Sequence, residues 1–198
     1  MLLRFALAFS LITPLLHVLV LLSSTDVSYQ DPIALLSHGN LGVLHTLSLA
    51  LFGAAQVLLA QSLAGADHGW FWPLARGLLA LAGVGVFFVA YSFAASAPDA
   101  LQGTEALDPL WIVACLIGFS MGLFQPGLNR YSKAMARINA ACFAAWCLLV
   151  PATLLIGFIS LGFYERVVGL VYVSWVAGLC LLELNPPKEW KRGEAPTN

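Results

Sequence analysis

The sequence predicts an all-α protein, a six-helix transmembrane bundle with both the N-terminus and the C-terminus cytoplasmic. Three observations carry that expectation. Hydrophobic residues make up 60% of the chain and charged residues 10%, against about 25% charged in an ordinary soluble domain. The apolar residues gather into six runs, each near the roughly 20 residues that a helix needs to cross a bilayer core of about 30 Å. The basic residues fall almost entirely on alternate connections, as the positive-inside rule requires. The chain reads as a single integral membrane domain spanning 1–198.

The first helix is expected at about 2–22. Arg4 before an apolar stretch resembles a signal peptide, but the run exceeds the usual h-region of about 7–15 residues and is read as a retained helix. The next segment, 23–40, carries Asp26, Asp31 and His38 and no Lys or Arg. Within it, Pro32 to Ser37 reads as a short interfacial helix that Asp31 can cap. A second helix follows at about 41–63, and then a short loop whose Trp70 and Trp72 suit a membrane interface.

The third helix, about 73–95, has Arg76 in its first turn and contains Gly77, Gly83 and Gly85. An acidic loop with Asp99, Glu105 and Asp108 leads to the fourth helix, about 109–127. The stretch 128–137, with Arg130, Lys133 and Arg137, reads as the most basic loop. The last two apolar runs, 138–162 and 167–184, are separated only by Phe163-Tyr164-Glu165-Arg166. They read as a tight hairpin whose second helix covers about 164–184, stopped by Pro186 and Pro187 before a charged tail at 185–198.

Placing the N-terminus inside puts Arg4, Arg76, Arg130, Lys133, Arg137, Lys188, Lys191 and Arg192 on the cytoplasmic side. Of the nine Lys and Arg residues, that leaves only Arg166 outside. The expected location is a prokaryotic inner membrane. A net charge of −1 and the lack of a Lys/Arg block set nucleic-acid binding aside. Cys115, Cys142, Cys147 and Cys180 all lie in apolar runs, where cysteine behaves as a small hydrophobe.

Polar groups inside hydrocarbon are costly and are the first places to look for function. His17, His45 and Tyr91 fall at similar heights on three helices. With Asp26, Asp31, His38, Glu165 and Arg166 they form a candidate outward-facing pocket. Glu165 and Arg166 point about 100° apart on a helix and seek partners on other segments, so a structural lock is the preferred reading. No catalytic residue, cofactor or metal is assigned, since neither HxxxH nor HExxH occurs. Gly118 and Gly122, and Ala140 and Ala144, are expected helix-packing positions.

The N-terminal helix, the segment Asp31-Pro32-Ile33-Ala34-Leu35-Leu36-Ser37-His38-Gly39 and the motif Gly162-Phe163-Tyr164-Glu165-Arg166 together resemble domain-of-unknown-function family nine-nine-eight. These are bacterial and archaeal multi-pass membrane proteins. The family's frequent Ile-Ser-Glu-Leu is here Ile33, Ala34, Leu35 and Leu36, and its His near the fourth helix is replaced by Asp108-Pro109-Leu110-Trp111. The resemblance implies a six-helix fold and adds no mechanism.

With no complete catalytic set, the leading expectation is a non-enzymatic accessory or partner-binding subunit. Its expected partners are membrane lipids and a larger membrane protein complex, with a lipid or amphiphile in the outer pocket. The alternative is a membrane-embedded enzyme acting on a lipid or isoprenoid, with His17, His45, Asp31 and Glu165 as acid–base groups. A transporter is disfavoured, because no Asp, Glu, Lys or Arg falls near the midplane.

Overall fold

The computed structural model describes residues 1–24, 31–38, 40–65, 69–96, 108–155 and 161–185. Among these residues there is no strand, and six helices are long and apolar enough to cross a membrane. They are α1 (Leu2–Ser23), α2 (Gly42–Ser62), α3 (Phe71–Ala95), α4 (Asp108–Tyr131), α5 (Lys133–Leu155) and α6 (Leu161–Leu184). Short 3-10 turns cover Ile33–His38 and Leu63–Gly65. Each long helix packs on its neighbours in the chain, and α6 closes back onto α1, so the six form a ring.

Two predicted boundaries change. The basic loop expected at 128–137 is helical, because α4 runs through Pro126 to Tyr131 and α5 starts at Lys133. Ser132 makes that junction. Its amide donates to the Leu128 carbonyl at 2.9 Å, its carbonyl accepts from Ala136 at 2.8 Å, and its hydroxyl accepts from the Met135 amide at 3.3 Å. One residue thus closes α4 and caps α5, which is how serine satisfies the free amides of a helix start. The second change is at the hairpin. Phe163-Tyr164-Glu165-Arg166, expected as a turn, lies inside α6, which begins at Leu161.

The bundle has a filled half and a hollow half. In the half that holds the start of α1 and the end of α6, buried rings interlock: Trp72 meets Phe124 edge-on at 4.7 Å, and Phe124 lies 6.0 Å from Trp175. Leu59, Leu63, Leu128, Met135 and Leu179 pack around them. Buried polar groups tie the rings to the backbone. The Trp175 indole donates to Asn139 Oδ1 at 2.7 Å, and the Asn139 amide donates to the Met121 carbonyl at 3.0 Å and to Gln125 Oε1 at 2.7 Å. The Tyr172 hydroxyl donates to Gln56 Oε1, joining α6 to α2 across the ring. In hydrocarbon such groups have no water to fall back on, so mutual pairing is required.

Close approaches set the helix spacing. Gly53 and Gly83 face each other, and a Cβ on either would sit 2.7 Å from the other's carbonyl oxygen. Arg76 donates from Nε to the Ala60 carbonyl at 3.1 Å, and the Trp72 indole donates to the Leu63 carbonyl at 3.2 Å. Both satisfy carbonyls that the end of α2 leaves free. Gly118 and Gly122 receive the rings of Trp146 and Phe143 from α5, and the Trp146 indole donates to the Ala114 carbonyl at 3.0 Å. Ala140 and Ala144 lie on the exposed side of α5. Their expected role in packing within the bundle is therefore corrected, because the aromatic side chains of α5 fill that contact instead.

Candidate functional site

The hollow half holds a cavity of about 410 Å³ lined by all six helices. Its floor is formed at the helix midpoints by Thr13, Phe52, Ile117, Trp146 and Tyr172. The Phe52 ring meets Tyr172 edge-on at 4.9 Å, and Trp146 meets it at 5.6 Å, which seals the floor against the filled half. From Thr13 to Leu21, both of which line it, α1 rises about 12 Å. That is most of one leaflet of hydrocarbon, about 15 Å.

The walls are almost entirely aliphatic and aromatic, with Val86, Val89 and Phe93 from α3 and Val113 and Ala114 from α4. Polar side chains are confined to two places. Thr13 and Ser48 lie low on one wall, where the Thr13 hydroxyl donates to the Phe9 carbonyl of its own helix at 2.9 Å and approaches the Ser48 carbonyl of α2 at 3.0 Å. His17, Glu165 and Arg166 stand at the outer end.

The outer end is built by three segments. Glu165 Oε2 accepts from the Ile33 amide at 2.7 Å, and Arg166 Nη1 donates to the Asp31 carbonyl at 3.0 Å. The carboxylate therefore caps the 3-10 turn that follows Pro32, a role the sequence suggested for Asp31. Arg166 also interacts electrostatically with the carboxylates of Glu165 and Asp31. Gly162 makes this contact possible, because a Cβ there would run into the Asp31 carbonyl.

His17 and His45 come together with ring centroids 5.4 Å apart and planes 57° apart. His45 is fully buried, and among the described residues neither of its ring nitrogens has a hydrogen-bond partner, nor does His17 Nε2. Only His17 of the two lines the cavity; His45 stands behind it.

Of the other candidate residues, Tyr91 is 72% exposed on the outer side of α3. Its height matched the pocket but its rotation did not, since Ala90 and Phe93 are the buried positions beside it. His38 is exposed at the end of the 3-10 turn, and Asp31 meets Arg166 through its backbone carbonyl as well as through the charge of its carboxylate. Asp26 lies outside the described residues. Among the described residues, no three His, Cys, Asp or Glu side chains gather closely enough to hold a metal ion.

The sequence reading missed Gln56, Asn139, Tyr172 and Trp146, which make the floor and its support. A signal for two of them was present, since Gln56 and Asn139 are amides in the middle of apolar runs, where polar groups are expensive. Comparison of the chain with protein-family models, with curated proteins and with solved structures finds no match.

Proposed function

We propose that this six-helix membrane protein is a non-enzymatic accessory protein that binds a lipid or other amphiphile, chain inward, in the cavity of its hollow half. The observation that carries this reading is an apolar cavity that spans most of one leaflet and whose charged groups stand only at its outer end. Left empty, the cavity would forfeit the dispersion contacts of its apolar lining, and a bound hydrocarbon chain restores them.

Binding is favoured over acid–base chemistry because Glu165, the carboxylate on the cavity wall, is engaged by the Ile33 amide. Gly169 gives a direct test. It lines the cavity, and a Cβ there would meet no atom within 4 Å, so Gly169→Leu fills space without touching the backbone. Native mass spectrometry of wild type purified in mild detergent is expected to show a bound amphiphile. In Gly169→Leu its occupancy is expected to fall about tenfold, or about 1.4 kcal/mol. Wild type that carries nothing would sink the reading. Turnover of added lipid, lost in His17→Ala or His45→Ala, would replace it with the enzyme alternative.

Both termini are proposed to be cytoplasmic, with the cavity in the opposite leaflet. Arg4, Arg76, Arg130, Lys133 and Arg137 at the filled end of the bundle support this by the positive-inside rule. A green fluorescent protein fused after Asn198 is expected to fluoresce and an alkaline phosphatase fused there to be inactive; the reverse pattern would invert the topology. Kinship with domain-of-unknown-function family nine-nine-eight is likewise proposed. It rests on the Gly162-to-Arg166 motif, whose Gly, Glu and Arg all meet the 31–33 segment.

A further inference from the structure

The wall of the cavity is incomplete on one side. Val18 of α1 is 50% exposed and Leu170 of α6 is 62% exposed, yet both line the cavity. The other lining residues are buried or half-buried, so the cavity reaches the surface beside these two. Helical geometry places the two residues on one seam. Val18 shares its side of α1 with Pro14 and Leu21, and Leu170 shares its side of α6 with Arg166 and Val173; all four neighbours also line the cavity. The opposite flank of α6 is held by α5, through Trp175 on Asn139 and Gly178 beside Met135.

The opening therefore lies between α1 and α6. In the ring, this is the one pair of neighbouring helices that is not consecutive in the chain. Leu11, Leu15 and Leu22 of α1 and Phe163 of α6 are exposed around it, so the medium outside the seam is hydrocarbon. Such an opening admits lipid chains rather than water-borne solutes.

The polar end of the seam tells which head group fits. Among the described residues, His17 Nε2 and both His45 nitrogens have no hydrogen-bond partner. A neutral imidazole carries one N–H donor, and a buried donor left without an acceptor is destabilising. Beside the histidines stands Arg166, another donor of hydrogen bonds. An arriving group rich in acceptor oxygens satisfies this arrangement.

We infer that the ligand is a glycerophospholipid of the surrounding leaflet, which slides in sideways between α1 and α6 with a chain in the cavity and its head-group oxygens on His17 and Arg166. This rests on the amphiphile-binding reading and adds the ligand class, its source and its route.

The test is an exchange experiment on the full chain. Detergent-purified protein is loaded with phosphatidylethanolamine and chased with an excess of the deuterated lipid, and native mass spectrometry follows the replacement. Val18→Trp with Leu170→Trp narrows the seam from the lipid side and is expected to slow exchange about tenfold, read as the rate constant of replacement on the protein that carries lipid. Each single substitution is expected to give part of that effect, so the experiment survives if the double variant does not fold. Leu74→Trp with Leu81→Trp, comparably exposed on α3 and away from the cavity lining, is expected to exchange like wild type. His17→Phe keeps a ring but loses the N–H, and about fivefold lower occupancy is expected for a bond worth about 1 kcal/mol.

Bound lipid with unaltered exchange in every seam variant would overturn the lateral route and leave amphiphile binding standing. A preparation that holds a free fatty acid or an isoprenoid and refuses phosphatidylethanolamine would overturn the ligand class alone. Wild type that binds no amphiphile would overturn both.

Discussion

Replacing Gly162 with alanine is expected to destabilise the protein by about 3 kcal/mol, the upper end of the usual cost of overpacking. The added methyl would collide with the Asp31 carbonyl and lie 2.6 Å from Arg166 Nη1. The obstacle is backbone, which no rotamer change can move, so the 31–33 segment must lift away from α6. The Glu165 bond to the Ile33 amide and the Arg166 bond to the Asp31 carbonyl would be lost together. The measurement is thermal unfolding in detergent, paired with hydrogen exchange at the Ile33 amide, which should speed up in the variant.

Gly169→Ala supplies the contrast on the same helix. No atom stands within 4 Å of the new methyl, so only helix propensity changes and about 0.5–1 kcal/mol of stabilisation is expected. Equal melting temperatures for Gly162→Ala and wild type would mean that the 31–33 segment does not pack on α6.

Trp175→Ala should cost about 3–5 kcal/mol, the range for removing a large buried aromatic. Its ring is fully buried between Phe124 and Tyr172, and its indole N–H is held by Asn139. Trp175→Phe separates the two contributions. It keeps most of the packing and drops the donor, so about 1 kcal/mol is expected from the lost hydrogen bond, with a further contribution from the smaller ring. Chemical denaturation of both variants in mixed micelles gives the ranking. If Trp175→Phe proves as damaging as Trp175→Ala, the amide network rather than the aromatic packing holds the filled half together.

The helices were legible in the sequence because length and apolarity alone decide which segments can lie in hydrocarbon. Their ends were less so. Lys133 and Arg137 suggested a loop, but long basic side chains extend from a helix to the interface, and Ser132 supplied a junction of one residue. Heights could be read by counting residues, which is how His17 and His45 were grouped. Rotation could not, because a lipid-facing residue and a buried one are equally apolar here. The hydrophobic walls give no amphipathic stripe to orient by, so Tyr91 was placed at the right level on the wrong side. The seam between α1 and α6 was out of reach for a related reason. It is a contact between distant parts of the chain, and nothing local records it.

The division of the bundle into a filled and a hollow half grades its stiffness along the membrane normal. The interlocked rings of Trp72, Phe124 and Trp175 resist compression as a close-packed solid does. At the other end, helices around the cavity have fewer neighbours to push against, and regions with sparse buried contacts deform at low free energy. Lateral pressure from the bilayer is then borne rigidly in one leaflet and yielded to in the other, so that changes in lipid packing bear most directly on the half that holds the cavity.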